Sequence, residues 1–171
     1  MSENAMLGKP AGEDRARLDG TIEAGEHRFA ARIYYADTDM SGAVYHGRYL
    51  ELFERGRSDF LRCLGISHTE LLARTPPIYW VVRRMEIDYL GAARIDDVVD
   101  VATQPRQVAG ARVVMAQTIA RQGRPLVRAV VTAALVDASG RPQRLPARWR
   151  AAFRQVEEAA IDPARPRSGV P

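Results

Sequence analysis

The chain has a single cysteine, Cys63, and a single lysine, Lys9. One cysteine excludes an internal disulfide and a cysteine-based metal cluster, and it fits a reducing cytoplasm. Cys63 stands among Phe60, Leu61 and Leu64 on a helical pattern, so it reads as an apolar filler rather than a nucleophile. Histidine is also scarce. His27, His46 and His68 lie far apart with no i,i+4 pair, which speaks against a zinc site and leaves no metal implied. His27 opens a strand beside a polar tail and reads as exposed, and His68 reads as capping the turn after a helix. Long apolar runs are missing too. The longest uncharged stretches, such as 75–82 and 129–136, are eight residues each, well below the ~20 needed to cross a bilayer. No basic start leads into an apolar segment, so nothing points to secretion.

What is present suits one globular domain. The 171 residues are 46% hydrophobic and 27% charged, enough for a genuine core. The net charge is +4, carried by arginine with the one exception of Lys9. Arginine grips phosphate bidentately, which suits a phosphorylated ligand, but a genomic composition bias explains the scattered excess better. The arginines are scattered rather than gathered into a stripe with stacking aromatics, and the first 25 residues show no helix-turn-helix pattern, so no nucleic-acid partner is expected. Residues 1–25 and 161–171 read as flexible tails, leaving a domain at 26–160.

Inside that domain the hydrophobic period changes once. Phe29, Ala31, Ile33 and Tyr35 alternate with Arg28, Ala30, Arg32 and Tyr34, a strand signature over 28–35. From Gly47 to Leu64 the spacing becomes helical, with Tyr49, Phe53, Gly56, Phe60 and Leu64 on one face. Glu51 and Arg55 are spaced for an i,i+4 pair, and Gly65 stands where a C-terminal cap belongs. A short helical turn at 68–73 ends at Pro76-Pro77. After that the pattern is all strand, at 79–89, 97–106, 111–121 and 126–136, with turn residues between them. Five strands with short connections and one long helix predict an α+β domain, an antiparallel sheet wrapped on a central helix. One helix cannot cover both faces and both edges of such a sheet, so dimerisation is expected.

The stretch YYADTDMSGAVYHGRY, residues 34–49, gathers Asp37, Asp39 and His46 at the mouth of that helix. A helix N-terminus presents unpaired N–H groups and the positive end of a dipole, which can polarise a carbonyl and stabilise an oxyanion. A carboxylate nearby could attack the carbonyl carbon or activate a water. Gly42 and Ala43 keep the loop thin enough for a ligand to approach its backbone. An Asp before a helix can also do nothing but cap it, although Asp39 lies seven residues upstream of the helical pattern. The segment alone fits either reading.

The motif D-x-D-x-x-G-x-V-Y-H and the glutamate-arginine helix after it resemble the signature of hotdog-fold acyl-CoA thioesterases of the 4-hydroxybenzoyl-CoA thioesterase family, closest to the Tol–Pal-associated branch. The likeness runs on through VVRRMEIDYLGAARIDDVVDV and GRPQRLP, covering about 28–146. It implies a hotdog fold, a five-stranded antiparallel sheet wrapped around one long helix. It implies hydrolysis of an acyl- or aroyl-CoA to acid and CoA, with no cofactor beyond the substrate. By the same likeness Asp39 is the catalytic carboxylate, His46 supplies the backbone donor, and Tyr45 stands beside it. Asp37 then holds the loop, and Ser41, which the family pattern does not explain, stiffens the turn. Gly42, Val44, Glu54, Arg83 and Arg84 are carried as substrate-binding residues, the arginines meeting the CoA phosphates together with Arg141 and Arg144 as further choices. The resemblance also implies a homodimer or homotetramer with its sites at subunit interfaces. Three rivals remain at this level. A helix-borne carboxylate, as in another branch of hotdog thioesterases, would fall on Glu51 or Glu54, of which Glu51 is better explained by a pair with Arg55. A hydratase would need an Asn-Pro that Ser41-Gly42-Ala43 lacks, and a silent acyl-CoA-binding regulator would lack the intact Asp39.

Overall fold

The computed structural model describes residues 20–161, so the tail assigned to 1–25 falls mostly outside the described residues, as does that at 161–171. In chain order the elements are β1 (Thr21–Glu23), β2 (Glu26–Arg32), a 3-10 turn (Tyr35–Asp37), α1 (His46–Cys63) and α2 (His68–Leu72). They continue with β3 (Ile78–Tyr89), β4 (Val98–Ala109), β5 (Arg112–Arg121), β6 (Arg124–Asp137) and α3 (Ala147–Ile161). The sheet is antiparallel throughout, in the order β1-β2-β4-β5-β6-β3.

The expected α+β architecture is present, with two corrections. The sheet has six strands, because Thr21–Glu23 pairs with Glu26–Arg32 as an edge hairpin instead of belonging to the tail. A third helix, α3, fills a stretch expected to hold none. Its Trp149, Phe153 and Val156 are buried at helical spacing, a signal visible in the sequence once that segment is tested for period.

Alternation along the strands sends one set of side chains to the helices. On β5 and β6, Val113, Met115, Ile119, Val127, Val131, Ala133 and Leu135 form the floor of the core. The helix α1 packs over β2, β4 and β5, and α3 packs against β4. Gly56 sets how closely α1 approaches. A Cβ built there would lie 2.9 Å from Thr103 Oγ1 and 3.1 Å from Val101 Cγ1. Beneath the helix, Gln117 donates from Nε2 to the Phe53 carbonyl and to Thr103 Oγ1, 2.9 Å each, and accepts from Arg57 at 2.8 Å. These bonds satisfy polar groups that burial would otherwise strand.

β3 lies at the far edge of the sheet. Its residues Trp80, Val82, Met85, Ile87 and Tyr89 stand opposite Leu135, Ala133, Val131, Ala129 and Val127, so they share the helix-facing side. Met85 and Ile87 of β3 pack against the cluster that holds Tyr49 and Phe53 of α1, and Tyr89 reaches the start of that helix.

Candidate active site

The loop from Tyr34 to Tyr45 is held in shape by its own backbone. The Asp39 and Gly42 amides donate to the Ala43 and Asp39 carbonyls, both at 3.0 Å. Gly42 adopts φ +73, a conformation that suits glycine, while a Cβ there would make only ordinary contact with Arg94. Asp37 accepts from the Tyr34 amide at 2.8 Å, and its backbone carbonyl accepts from the Tyr45 amide at 2.9 Å. The Val44 amide reaches the Ala93 carbonyl at 2.9 Å, and the Ala93 amide donates to the Tyr49 hydroxyl at 2.9 Å. The loop is thereby fastened to the helix it precedes.

Asp39 is exposed in this frame. Its Oδ1 accepts from the Ser41 amide at 2.8 Å and from Ser41 Oγ at 2.5 Å. The Ser41 hydroxyl, then its amide, hold the Asp39 carboxyl below the usual carboxylate range, and the nearby His46 adds to this against a small opposing effect of desolvation. Among the described residues, no hydrogen bond falls on Oδ2. The carboxylate is therefore ionised, fixed in orientation and open on one oxygen.

Helix α1 begins at His46, and its cap residue Tyr45 makes no side-chain hydrogen bond to the helix. Among the described residues, the amides of His46 and Gly47 donate to no backbone carbonyl or side chain. Two donors at the positive end of an 18-residue helix thus remain available. A Cβ at Gly47 would lie 2.8 Å from the Tyr45 ring and displace it; that ring packs 4.3 Å from the His46 ring. Tyr89 closes the other side. Its hydroxyl donates to the His46 carbonyl at 3.3 Å, and its ring lies 6.1 Å from that of Tyr49.

The structure thus brings Asp39, Gly42, Tyr45 and His46 to one end of α1. Val44 lies below them, 6% exposed, as part of the core. Glu54 lies two turns farther along α1, where its Oε1 accepts from Ser58 Oγ at 2.5 Å and Ser58 Oγ sits 3.1 Å from His68 Nε2. Arg83 and Arg84 are exposed on β3, and Arg84 is ion-paired with Glu86. Tyr89 went unnoticed in the sequence, because its approach to His46 spans 43 positions and leaves no local signal.

Three further expectations need correction. Glu51 pairs with Arg48 at 2.6 Å, not with Arg55. Cys63 is exposed, its sulfur 3.5 Å from the Gly20 carbonyl. His27 is fully buried, its Nε2 2.8 Å from Asp59 Oδ2. Burial lowers the His27 pKa, outweighing the opposite pull of Asp59. Desolvation pushes Asp59 upward, but bonds from the Gly20 amide, His27 and Arg62 outweigh it and hold the carboxylate ionised. The cluster pins the β1–β2 hairpin to α1. An acid between Gly56 and Phe60, on the apolar face of a helix, was the sequence signal for it.

Residues 41–128 match the family model described as the thioesterase superfamily. The chain is 38% identical over 130 residues to the acyl-CoA thioesterase YbgC of Haemophilus influenzae, spanning 75% of this chain and 95% of that protein. It is 35% identical over 130 residues to the acyl-CoA thioester hydrolase YbgC of Shigella flexneri, spanning 75% and 96%. Among solved structures it is similar to a probable thioesterase from Bartonella henselae, at 46% identity and a TM-score of 0.69, spanning 71% of this chain and 99% of that one.

Proposed function

Since this chain belongs to the thioesterase superfamily, and is a thioester hydrolase acting on acyl-CoA, we propose that Asp39 attacks the thioester carbonyl at the N-terminus of α1. One observation carries this reading: an ionised carboxylate with an open Oδ2 stands in the loop that leads into an uncapped helix end. The substrate carbonyl oxygen accepts from the His46 and Gly47 amides, whose dipole stabilises the oxyanion as it forms. Asp39 Oδ2 bonds to the carbonyl carbon, and the C–S bond breaks to release the CoA thiolate, which takes a proton from solvent. Water then hydrolyses the mixed anhydride and returns the Asp39 carboxylate. The depressed pKa keeps the Asp39 carboxylate ionised, as attack on the carbonyl carbon requires.

Ser41 orients the carboxylate, and the exposed rings of Tyr45 and His46 wall the entry. Arg83 serves the CoA phosphates better than Arg84, whose guanidinium is already held by Glu86. The open edge of strand β3 supports a homo-oligomer in which a second copy covers the site. No helix among the described residues is long and apolar enough to cross a membrane. The exposed thiol of Cys63 fits a reducing compartment, so the reaction is assigned to the cytoplasm.

A thiol-release assay with acyl-CoA esters tests the activity, and a single turnover in ¹⁸O-water tests the route. With enzyme in excess, nucleophilic attack followed by water attack on the aspartyl carbon of the anhydride puts the label into the Asp39 carboxylate, read by mass spectrometry of the peptide. Label found only in the released acid fits water attack on the anhydride's acyl carbon or a general-base role, and trapping of an acyl–Asp39 anhydride with borohydride or hydroxylamine separates these two.

A further inference from the structure

On the β2 side of the sheet, a pocket of about 400 Å³ opens between α1 and the edge of that strand. It is lined by Phe29 and Arg32 of β2, by Tyr34 just beyond the strand, and by Arg55, Asp59 and Arg62 of α1. Three guanidiniums thus share one carboxylate, and that carboxylate is already satisfied. Asp59 accepts from the Gly20 amide at 2.6 Å, from His27 at 2.8 Å and from Arg62 at 3.0 Å.

Arg55 and Arg32 keep their charge unspent. Glu51, spaced to hold Arg55, pairs with Arg48 instead, and the other acids bonded to α1 arginines are Asp37 and Asp59. Among the described residues, Arg55 therefore enters no ion pair. Arg32 gives one N–H to the Asp96 carbonyl at 3.3 Å and meets no carboxylate there. A guanidinium is a planar fork matched to phosphate, and one without a carboxylate partner keeps that fork for a ligand.

The strand edge adds donors of a second kind. β1 pairs with β2 only over Glu26, His27 and Arg28, so beyond Arg28 the outer edge of β2 has no neighbouring strand. Ile33 spends its N–H on the Asp97 carbonyl and its C=O on the Asp96 amide, both on the β4 side. By the alternation of a strand, Ala30 and Arg32 aim their backbone groups the other way, toward the open edge where the pocket lies. Oriented backbone N–H groups beside cationic side chains are the usual make-up of a phosphate site. Tyr34, 64% exposed, then offers a ring face on which a planar base can stack.

From these we infer that the pocket between α1 and the open edge of β2 binds a phosphorylated nucleoside, with Arg32 and Arg55 gripping its phosphates and Tyr34 stacking on its base. The site stands apart from the Asp39 chemistry but touches its frame, because the Tyr34 amide donates to Asp37. From His46 to Arg55 the helix rises ~14 Å, at ~1.5 Å per residue. Two sources carry the same chemistry: the phosphorylated adenosine end of a bound CoA, and a separate nucleotide.

Calorimetric titration with adenosine 3′,5′-bisphosphate tests the site whether or not any thioester is cleaved. The wild type should bind it, and Arg32→Gln and Arg55→Gln should each weaken binding ~10-fold or more, the worth of a charge-assisted contact. Tyr34→Ala should weaken the nucleoside bisphosphate ~5-fold or more, yet leave inorganic pyrophosphate within ~2-fold. All three side chains are exposed, so circular dichroism should not change. No binding by the wild type, or affinity unmoved by both arginine substitutions or by Tyr34→Ala, overturns the inference. So does an equal loss from Arg124→Gln, an arginine of β6 outside the pocket whose removal changes only net charge. Competition then names the source, and either answer supports the site. If CoA supplies the phosphates, saturating CoA abolishes the titration, and Arg55→Gln raises KM for an acyl-CoA but not for an acyl-pantetheine lacking them. If the nucleotide is separate, the titration persists in saturating CoA and KM for the acyl-CoA is unchanged.

Discussion

Ser41 grips Asp39 twice, its Oγ 2.5 Å and its amide nitrogen 2.8 Å from the same carboxylate oxygen. One short turn thereby fixes both the direction of the carboxylate and its charge. Because the charged form is the one bonded, the Asp39 pKa lies below the usual range. Thioester cleavage should therefore keep its full rate to lower pH than an ordinary aspartate, at about 3.9, would allow. Ser41→Ala should move the acidic limb of kcat/KM upward toward that value. A pH–rate profile of the two proteins checks it, and an unmoved limb would detach Ser41 from the chemistry.

The buried pair of His27 and Asp59 predicts acid sensitivity in the fold. A histidine whose folded pKa is lowered binds its proton more readily when unfolded, so stability falls as pH drops below about 6.5. Asp59, also lowered, loses its contribution as pH falls further through its own folded range, so both act in the same direction. Urea midpoints at pH 7.5 and 5.5 should differ in the wild type and converge in His27→Gln. Asp59→Ala should cost about 1–3 kcal/mol, as leaving the buried His27 Nε2 donor without its acceptor does.

Gly56→Ala sets a local rule against a tertiary one. Alanine favours a helix over glycine by about 1 kcal/mol. Its Cβ would nevertheless meet Thr103 Oγ1 at 2.9 Å, with the Gln117 network close behind. Overpacking at such a contact costs about 1–3 kcal/mol. A melting temperature below that of the wild type is expected, and a higher one would mean that the sheet gives way easily.

Tyr49→Phe removes the acceptor of the Ala93 amide, whose carbonyl in turn holds the Val44 amide. Leaving a buried donor unpaired costs about 1–3 kcal/mol. Because the Asp39 loop hangs from that peptide, kcat should fall along with stability. Steady-state kinetics at a temperature where both proteins are folded separates the two effects.

Much of this was legible locally. The alternation in β2–β6 and the spacing of Tyr49, Phe53, Gly56 and Phe60 disclose the sheet and α1, because both periods arise from neighbours in the chain. The turn at Asp39 is readable for the same reason, since Asp39, Ser41 and Ala43 bond to one another, whereas the ties from Val44 to Ala93 and from His46 to Tyr89 span more than forty positions. What stayed hidden depends on distant contacts. His27 looked exposed because nothing near it shows that Asp59, 32 residues on, would bury it. Arg32 and Arg55 line one pocket only because β2 runs along α1. Helix α3 is a different case: Trp149, Phe153 and Val156 carry a helical period in the sequence itself, with no distant contact needed to read it.

The central claim is that Asp39 performs the chemistry, and its direct test is thiol release from an acyl-CoA the wild type cleaves, repeated with Asp39→Asn. The substitution keeps size and leaves an oxygen for Ser41 to bond, so the loop should survive and circular dichroism should not change. A fall of ~100-fold or more in kcat is predicted, as for loss of a group acting directly on the reacting atoms. A rate within a few-fold of the wild type would contradict it and leave Asp39 as loop architecture.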